Sequence, residues 1–155
     1  MLLSLDPATS KFGYAFFKAN QYHSSGVFAP KGSIGDRIVA IGRWLENLDW
    51  SRITDVACEK PTGDHNNRHV DRVLGMVYGV CMYVAMTNGA KFHEVYPVHV
   101  IAQQVGKRNR AAAAAYIYNE TGELKREIDG NEADALAVAL AWLEQERVER
   151  IRLLR

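Results

Sequence analysis

The chain has 155 residues, of which 48% are hydrophobic and 24% charged, and its formal net charge is +1. This composition is typical of a soluble globular protein with a core of its own. A total charge so close to zero does not by itself indicate a nucleic-acid-binding protein.

The predicted elements alternate along what we expect to be a single domain over residues 1–155. Three short apolar stretches near the N-terminus follow one another closely, which favours an antiparallel meander. The later segments alternate strands with helices, so the expected architecture is an α/β fold in which helices cover a mixed sheet. In chain order we predict strands over 2–6, 13–18 and 22–29, a helix over 36–48, a strand over 53–59, a helix over 66–87, a strand over 92–96, helices over 98–105 and 111–119, and a last helix from Asn131.

Targeting signals are not apparent in the sequence. The N-terminal segment lacks the basic region of a signal peptide, and no apolar run approaches about 18 residues, so we expect neither a signal peptide nor a membrane-spanning helix. The two cysteines, Cys58 and Cys81, match no metal or disulfide pattern. We therefore expect reduced, packed thiols in a cytoplasmic protein.

Positive charge is concentrated in the middle of the chain. Residues 61–110 contain six Lys or Arg against three Asp or Glu, and four of the five His. This segment is therefore the better candidate for contact with a polyanion, although the imbalance alone is weak support.

Carboxylates stand at the ends of predicted elements. Asp6 ends the first strand, Glu59 ends the fourth, and Asp134 opens the last helix, three residues after Asn131. Strand ends on one edge of an open α/β sheet are where ligands collect, so these side chains could converge. Converging carboxylates repel one another unless they are protonated or hold a cation. Oxygen ligands without Cys or His suit Mg²⁺ or Mn²⁺, and pairs of such ions catalyse the attack of water on phosphodiesters.

Each of these residues also has an ordinary structural explanation. Asp6 could begin a turn, and Glu59 could pair with Lys60 or lie in solvent. Asn131 could cap the last helix, and the helix dipole alone would favour Asp134 near its start. Spacing in a single sequence does not prove that the four side chains meet.

Five segments, in order, carry a more specific pattern. SLDPATSKFGYAFF (residues 4–17) is a strand that ends in Asp, then a turn and a second strand, and DVACEKP (55–61) is a strand that ends in Glu. They are followed by Asn67 with LGMVYG (74–79), by PVHVIAQQVG (97–106) and by NEADALAVALAW (131–142). Each motif is weak alone, but together they span essentially the whole chain and resemble the motifs of RuvC-type Holliday junction resolvases, with a length and divergence that resemble a phage or prophage member.

The resemblance implies a ribonuclease H-like fold, with a mixed five-stranded sheet flanked by helices, and a homodimer. It also implies an endonuclease that uses two Mg²⁺ ions, or Mn²⁺, to nick four-way junction DNA in pairs during recombination. By motif, Asp6, Glu59, Asp134 and Asn131 would be the catalytic metal ligands. Asn131 stands where the family usually has Asp or His, and an amide brings no charge, so metal affinity would be lower. Glu132 lies off that helix face.

Basic residues around the motifs would contact DNA. His65, Arg68, His69 and Arg72 follow Glu59 closely and would hold the phosphate backbone, although an exposed helix start explains them almost as well. The family Lys near the helix after the basic loop 106–110 is replaced within the alanine run. A cation from that loop would instead stabilise charge that develops on the phosphate. The candidates are Lys107, Arg108 and Arg110.

Three other functions compete with a junction-resolving nuclease. The amide at Asn131 and the missing Lys also fit a protein that binds branched DNA without cutting it. The Asp-turn-Gly pattern of the first motif occurs in phosphotransferases of the actin and sugar-kinase group, but those enzymes need two such domains. A nuclease that processes RNA is the remaining alternative, and a phage-encoded protein would act in the host cytoplasm.

Overall fold

The computed structural model describes residues 1–61, 67–96, 119 and 128–154. Within these residues the elements occur in the predicted order. They are β1 (Leu2–Asp6), β2 (Phe12–Lys18), β3 (Gln21–Phe28), α1 (Ile34–Glu46), β4 (Asp55–Glu59), α2 (Arg68–Thr87), β5 (Lys91–Val95) and α3 (Gly130–Leu153). The helices predicted over 98–105 and 111–119 lie outside the described residues, apart from Asn119, which is helical.

The strands form one five-stranded sheet in the order β3-β2-β1-β4-β5. β1, β2 and β3 pair antiparallel, which confirms the predicted meander, while β4 pairs parallel with both β1 and β5. The mixed sheet with flanking helices confirms the predicted fold class. The parallel pairing brings the carboxyl ends of three neighbouring strands to one edge.

Helices pack on both faces of the sheet. Leu3 and Leu5 of β1 pack with α1 and α2 in one buried cluster. Leu2 of β1 and Ala57 of β4 pack with Leu136 of α3 in another. Because successive side chains of a strand point to opposite faces, the even-numbered residues of β1 and the odd-numbered residues of β4 face α3.

Helix α2 has apolar residues on its exposed side as well as on its buried side. Its N-cap, Asn67, accepts hydrogen bonds from the backbone N–H groups of His69 and Val70, and the predicted stop at Asn88 and Gly89 is confirmed, with φ of +82° at Gly89. By length and composition α2 could cross a membrane, which the sequence did not lead us to expect. One side of it nevertheless packs into the sheet and α1, as the helix of a protein core does. That side consists of Val73, Val77, Cys81, Val84 and Ala85.

The two cysteines are free and buried, as predicted. Cys58 of β4 and Cys81 of α2 interact in the cluster between the sheet and α2. Burial and the neighbouring Cys81 thiol raise the pKa of Cys58 well above its usual range. Cys58 is therefore a packing group rather than a reactive thiol, and Cys81 is buried beside it.

Candidate active site at the carboxyl edge of the sheet

Asp6 and Glu59 end neighbouring parallel strands. Leu5 pairs with Cys58 in the ladder between β1 and β4, so the next residue on each strand, Asp6 and Glu59, stands at the same edge. Ser4 donates a hydrogen bond of 2.8 Å from its Oγ to the carbonyl of Ala135 in α3. Side chains two residues apart share a face of a strand, so Asp6 also lies on the α3 side, where only 8% of its surface is exposed.

The side chain of Glu59 is placed on the same face. Ala57, two residues earlier in β4, packs under α3, whereas Lys60 alternates to the α2 side. There the Nζ of Lys60 lies 2.7 Å from Glu94, which also accepts a hydrogen bond of 2.6 Å from the hydroxyl of Tyr78. Lys60 therefore forms an ion pair with Glu94. A pair with Glu59, the alternative that the sequence left open, does not account for the position of the Lys60 side chain.

The first turn of α3 lies directly on β2 at Gly13. Gly13 is the partner of Asp6 in the antiparallel ladder, and a Cβ added to it would stand 2.0 Å from the carbonyl oxygen of Asn131. Only glycine permits so close an approach. Asp134 follows within the same turn, next to the residue that Ser4 contacts. The fold therefore places Asp6 and Glu59 at one edge of the sheet, beside the first turn of α3, which carries Asn131 and Asp134.

The helix cap is Asp129, not Asn131. The Oδ1 of Asp129 accepts hydrogen bonds from the backbone N–H of Asn131 at 3.0 Å and from its side-chain Nδ2 at 3.1 Å. The other carboxylate oxygen, Oδ2, lies 2.6 Å from the Nζ of Lys11. The hydrogen bond from Lys11, followed by that from the Asn131 backbone, lowers the pKa of Asp129. The interpretation of Asn131 as a simple N-cap is therefore wrong, because the residue two positions earlier performs that role.

Glu132 is buried between α3 and β3. It is 1% exposed and accepts a hydrogen bond of 2.6 Å from the Oγ of Ser25 on β3. The hydroxyl of Tyr22 lies 3.1 Å from the same Oγ. This contact attaches the start of α3 to β3.

The predicted DNA contacts are only partly within the described residues. Arg68 and Arg72 lie exposed on the first turns of α2. His65, Lys107, Arg108 and Arg110 lie outside the described residues. The described part of the predicted DNA surface therefore consists of the two arginines of α2.

The oxygen atoms of the candidate ligands are of the kind that binds a hard divalent cation such as Mg²⁺. Carboxylate and amide oxygens, with no Cys or His among them, are the ligands that Mg²⁺ and Mn²⁺ prefer. In the described residues no three Asp, Glu, His or Cys side chains are gathered closely enough to hold a metal ion. The candidate ligands therefore suit such an ion by their chemistry, while their side chains are not gathered around one point in this structure.

Two searches by sequence gave no match. No protein-family model matches the sequence, and no curated protein matches it either. The similarity of this chain to known proteins was therefore found by comparing folds.

Three solved structures, of two different proteins, share this fold. Thermus thermophilus RuvC in complex with a Holliday junction substrate superposes with a TM-score of 0.78 at 19% identity, and the match covers 95% of this chain and 94% of that one. Another structure of Thermus thermophilus RuvC gives a TM-score of 0.71 at 20% identity, with 96% of each chain covered. The fowlpox virus resolvase in complex with Holliday junction DNA gives 0.54 at 14% identity, over 94% and 99% of the two chains. The chain therefore has the ribonuclease H-like fold of RuvC, as the sequence motifs predicted.

Proposed function

We propose that this protein is a divalent-metal-dependent, structure-selective endonuclease that resolves Holliday junctions, and other branched DNA, by paired hydrolytic nicks. The observation that carries the proposal is the placement of Asp6 and Glu59 at adjacent strand ends, on the face that α3 covers. The fold it shares with two resolvases solved in complex with Holliday junctions supports the choice of substrate. The proposed active unit is one domain of residues 1–155, in the cytoplasm, or in the host cytoplasm if a phage encodes it.

The proposed ligands divide the work at the site. Two Mg²⁺ ions, or Mn²⁺, would be held by the carboxylates of Asp6, Glu59 and Asp134 and by the carbonyl of Asn131, and they would supply an activated water and neutralise charge on the phosphate. Asp6 is nearly buried, so its position is fixed by the strand ladder. Asp134 and Asn131 are fixed by the first turn of α3. Asn131 contributes an oxygen without a charge, so the site should hold metal less tightly than one with four acids.

Basic side chains would hold the DNA. Arg68 and Arg72, exposed on α2, would contact phosphates and set the register of the substrate without reading its sequence, together with His65. A cation from Lys107, Arg108 or Arg110 would stabilise charge that develops during cleavage.

A homodimer would supply the second nick. The outward side of α2 exposes Met76, Tyr83 and Met86 at helical spacing, with 66% of Tyr83 and 61% of Met86 in solvent. A contiguous apolar surface of this kind marks an interface. A Cβ on Gly75 or Gly79 would meet nothing within 4 Å, so a second chain can approach the backbone there.

The direct test is cleavage of end-labelled four-way, three-way and linear duplex DNA with Mg²⁺ or Mn²⁺. We expect paired nicks in the four-way junction, and their loss in Asp6→Asn. The matched control is Asp36→Asn, which removes a carboxylate from the capping box of α1 and should leave cleavage intact. Absence of cleavage with either ion, or cleavage that survives Asp6→Asn, would contradict the proposal.

A junction-binding protein without catalysis is the second candidate, and the neutral Asn131 favours it. It predicts tight, salt-sensitive binding of junctions without nicks in either metal. Asn131→Asp would distinguish an inactive protein from a weakened enzyme, but it sets a second carboxylate beside Asp129. The double variant Asp129→Asn with Asn131→Asp keeps an amide donor between the two positions and is the better test. Nicks restored by the double variant would identify a weakened enzyme.

A further inference from the structure

We infer that Asp129 is a positioning residue that holds the side-chain amide of Asn131, so that the carbonyl Oδ1 of Asn131 is the atom presented to a bound cation. This inference rests on the proposed metal-dependent function. It assigns a role to two residues, Asp129 and Lys11, that lie outside the set of candidate ligands.

The orientation of the amide follows from the chemistry of its neighbour. Both oxygens of Asp129 accept hydrogen bonds from N–H groups, Oδ1 from the backbone of Asn131 and Oδ2 from the Nζ of Lys11, and a carboxylate oxygen in such contacts is an acceptor, not a donor. The group of Asn131 that lies 3.1 Å from the Oδ1 of Asp129 must therefore be the NH₂ group. The carbonyl oxygen is then at the opposite end of the amide, away from Asp129.

Two further contacts fix the pair in place. The Nζ of Lys11 holds the second oxygen of Asp129 at 2.6 Å, and Lys11 belongs to the segment that leads into β2. Two residues later, Gly13 lies against the backbone carbonyl of Asn131. Both the backbone and the side chain of Asn131 are thus attached to the same part of the sheet that carries Asp6.

The arrangement serves orientation more than stability. More than half of the Lys11 side chain is exposed, and ion pairs in solvent contribute little to folding. A neutral ligand, in contrast, depends on being held in place, since it attracts a cation weakly. Partners that orient a ligand from outside typically contribute a factor of about 10 to 100 in metal affinity or activity.

The test replaces Asp129 while keeping the helix cap. Ser caps helices about as well as Asp, but one hydroxyl cannot hold both the backbone and the amide of Asn131 and also pair with Lys11. We expect Asp129→Ser to weaken Mn²⁺ binding about 10-fold, measured by electron paramagnetic resonance on the protein without DNA. Asn131→Ala should weaken binding similarly, and Asp129→Ser added to Asn131→Ala should weaken it no further. Asp36→Asn, at the start of α1, should leave the Kd unchanged.

Solvent exchange of the Asn131 side-chain amide, followed by NMR, gives a readout that needs no metal. We expect slow exchange in the wild-type protein and faster exchange in Asp129→Ser. The inference is overturned if Asp129→Ser leaves the Kd for Mn²⁺ or the amide exchange rate unchanged. It is also overturned if Asp129→Ser weakens Mn²⁺ binding equally in the wild-type protein and in Asn131→Ala.

Failure of the proposed function looks different. The wild-type protein would then bind no Mn²⁺ and cut no junction, whichever residue stands at 129. That result removes the role of Asp129 together with the metal site. Loss of the positioning role alone would leave wild-type Mn²⁺ binding and cleavage intact.

Discussion

At the scale of single residues, Gly13 sets how closely α3 approaches the sheet. A methyl group there would stand 2.0 Å from a backbone oxygen of Asn131, and no side-chain rotation relieves a clash with backbone. We expect Gly13→Ala to displace the start of α3 and to reduce the free energy of unfolding by about 1–3 kcal/mol, measured by urea denaturation. Junction cleavage should fall further than stability explains, because the candidate ligands on α3 move away from Asp6.

The matched control for Gly13→Ala is Gly35→Ala in α1. A Cβ at Gly35 meets its nearest atom, the Oγ of Ser33, only at 3.9 Å, and alanine favours helix. This variant should be as stable as the wild-type protein or slightly more so. Equal losses in the two variants would show that the contact with Asn131 is not the cause.

Glu132 gives a second prediction at this scale. Its carboxylate is buried and accepts a hydrogen bond from Ser25. Ser25→Ala removes that donor, and weakening the hydrogen bonding of a buried polar group costs about 1–3 kcal/mol. We expect a loss of that size in urea denaturation, whereas Ser24→Ala, on the opposite face of β3, should change stability much less. If Ser25→Ala leaves the free energy of unfolding unchanged, the other contacts of Glu132 are sufficient to stabilise its buried carboxylate.

The sequence identified the candidate acids but not the residues that hold the start of α3 in place. Asp6 and Glu59 could be recognised because each ends an apolar strand. Lys11 and Ser25 could not, because their partners, Asp129 and Glu132, lie more than a hundred residues away in the sequence. Asp129 could be noted as a further acid in the loop before α3, but its role as the helix cap could not. Their roles follow from the register of β2 and β3, which residue spacing does not encode.

At the scale of elements, the strands and helices of the described residues begin and end within about two residues of their predicted bounds. β1 has the predicted bounds, since an apolar run followed by Asp and Pro leaves little choice. α1 begins at Ile34 rather than residue 36 because Ser33 and Asp36 form a capping box. α3 begins at Gly130 because Asp129 caps it, and the contact with Lys11 favours that choice over a cap at Asn131. Local patterns thus place an element, whereas tertiary contacts set its ends.

The hairpin between β2 and β3 contains a local weakness. Lys18 pairs with Gln21, and the two residues between them, Ala19 and Asn20, have φ of 49° and 66°. Such tight turns favour Asn and Gly, while alanine is strained there by about 1–2 kcal/mol. We expect Ala19→Asn to stabilise the protein by about 1 kcal/mol and to raise its Tm by about 2–4 °C in calorimetry. Ala29→Asn, just after β3, should give no gain, and a similar gain there would argue against relief of turn strain.

At the scale of the whole molecule, α2 contributes residues both to the core and to the exposed surface. Its inner side packs on the sheet, its first turns expose Arg68 and Arg72, and its outer side is apolar. Because α2 is apolar on both sides, it is long and apolar enough to span a membrane by length and composition alone. In a resolvase the same outer surface would instead be covered by a second copy, since two nicks placed symmetrically across a junction require two sites.

That arrangement makes the last prediction. A charge at the centre of the apolar surface, Tyr83→Glu, should prevent association while leaving the fold intact, because the side chain is 66% exposed in one chain and a carboxylate is costly only when the surface is covered. Analytical ultracentrifugation should find a dimer for the wild-type protein and single chains for the variant. On a plasmid with an extruded cruciform, the dimer should produce linear DNA by paired nicks, and the variant only slow, single nicks. Val148→Glu, at an exposed apolar position of α3, should remain dimeric and linearise the plasmid. A Tyr83→Glu protein that is still dimeric, or that still linearises the plasmid at the wild-type rate, would place the dimer interface elsewhere than α2.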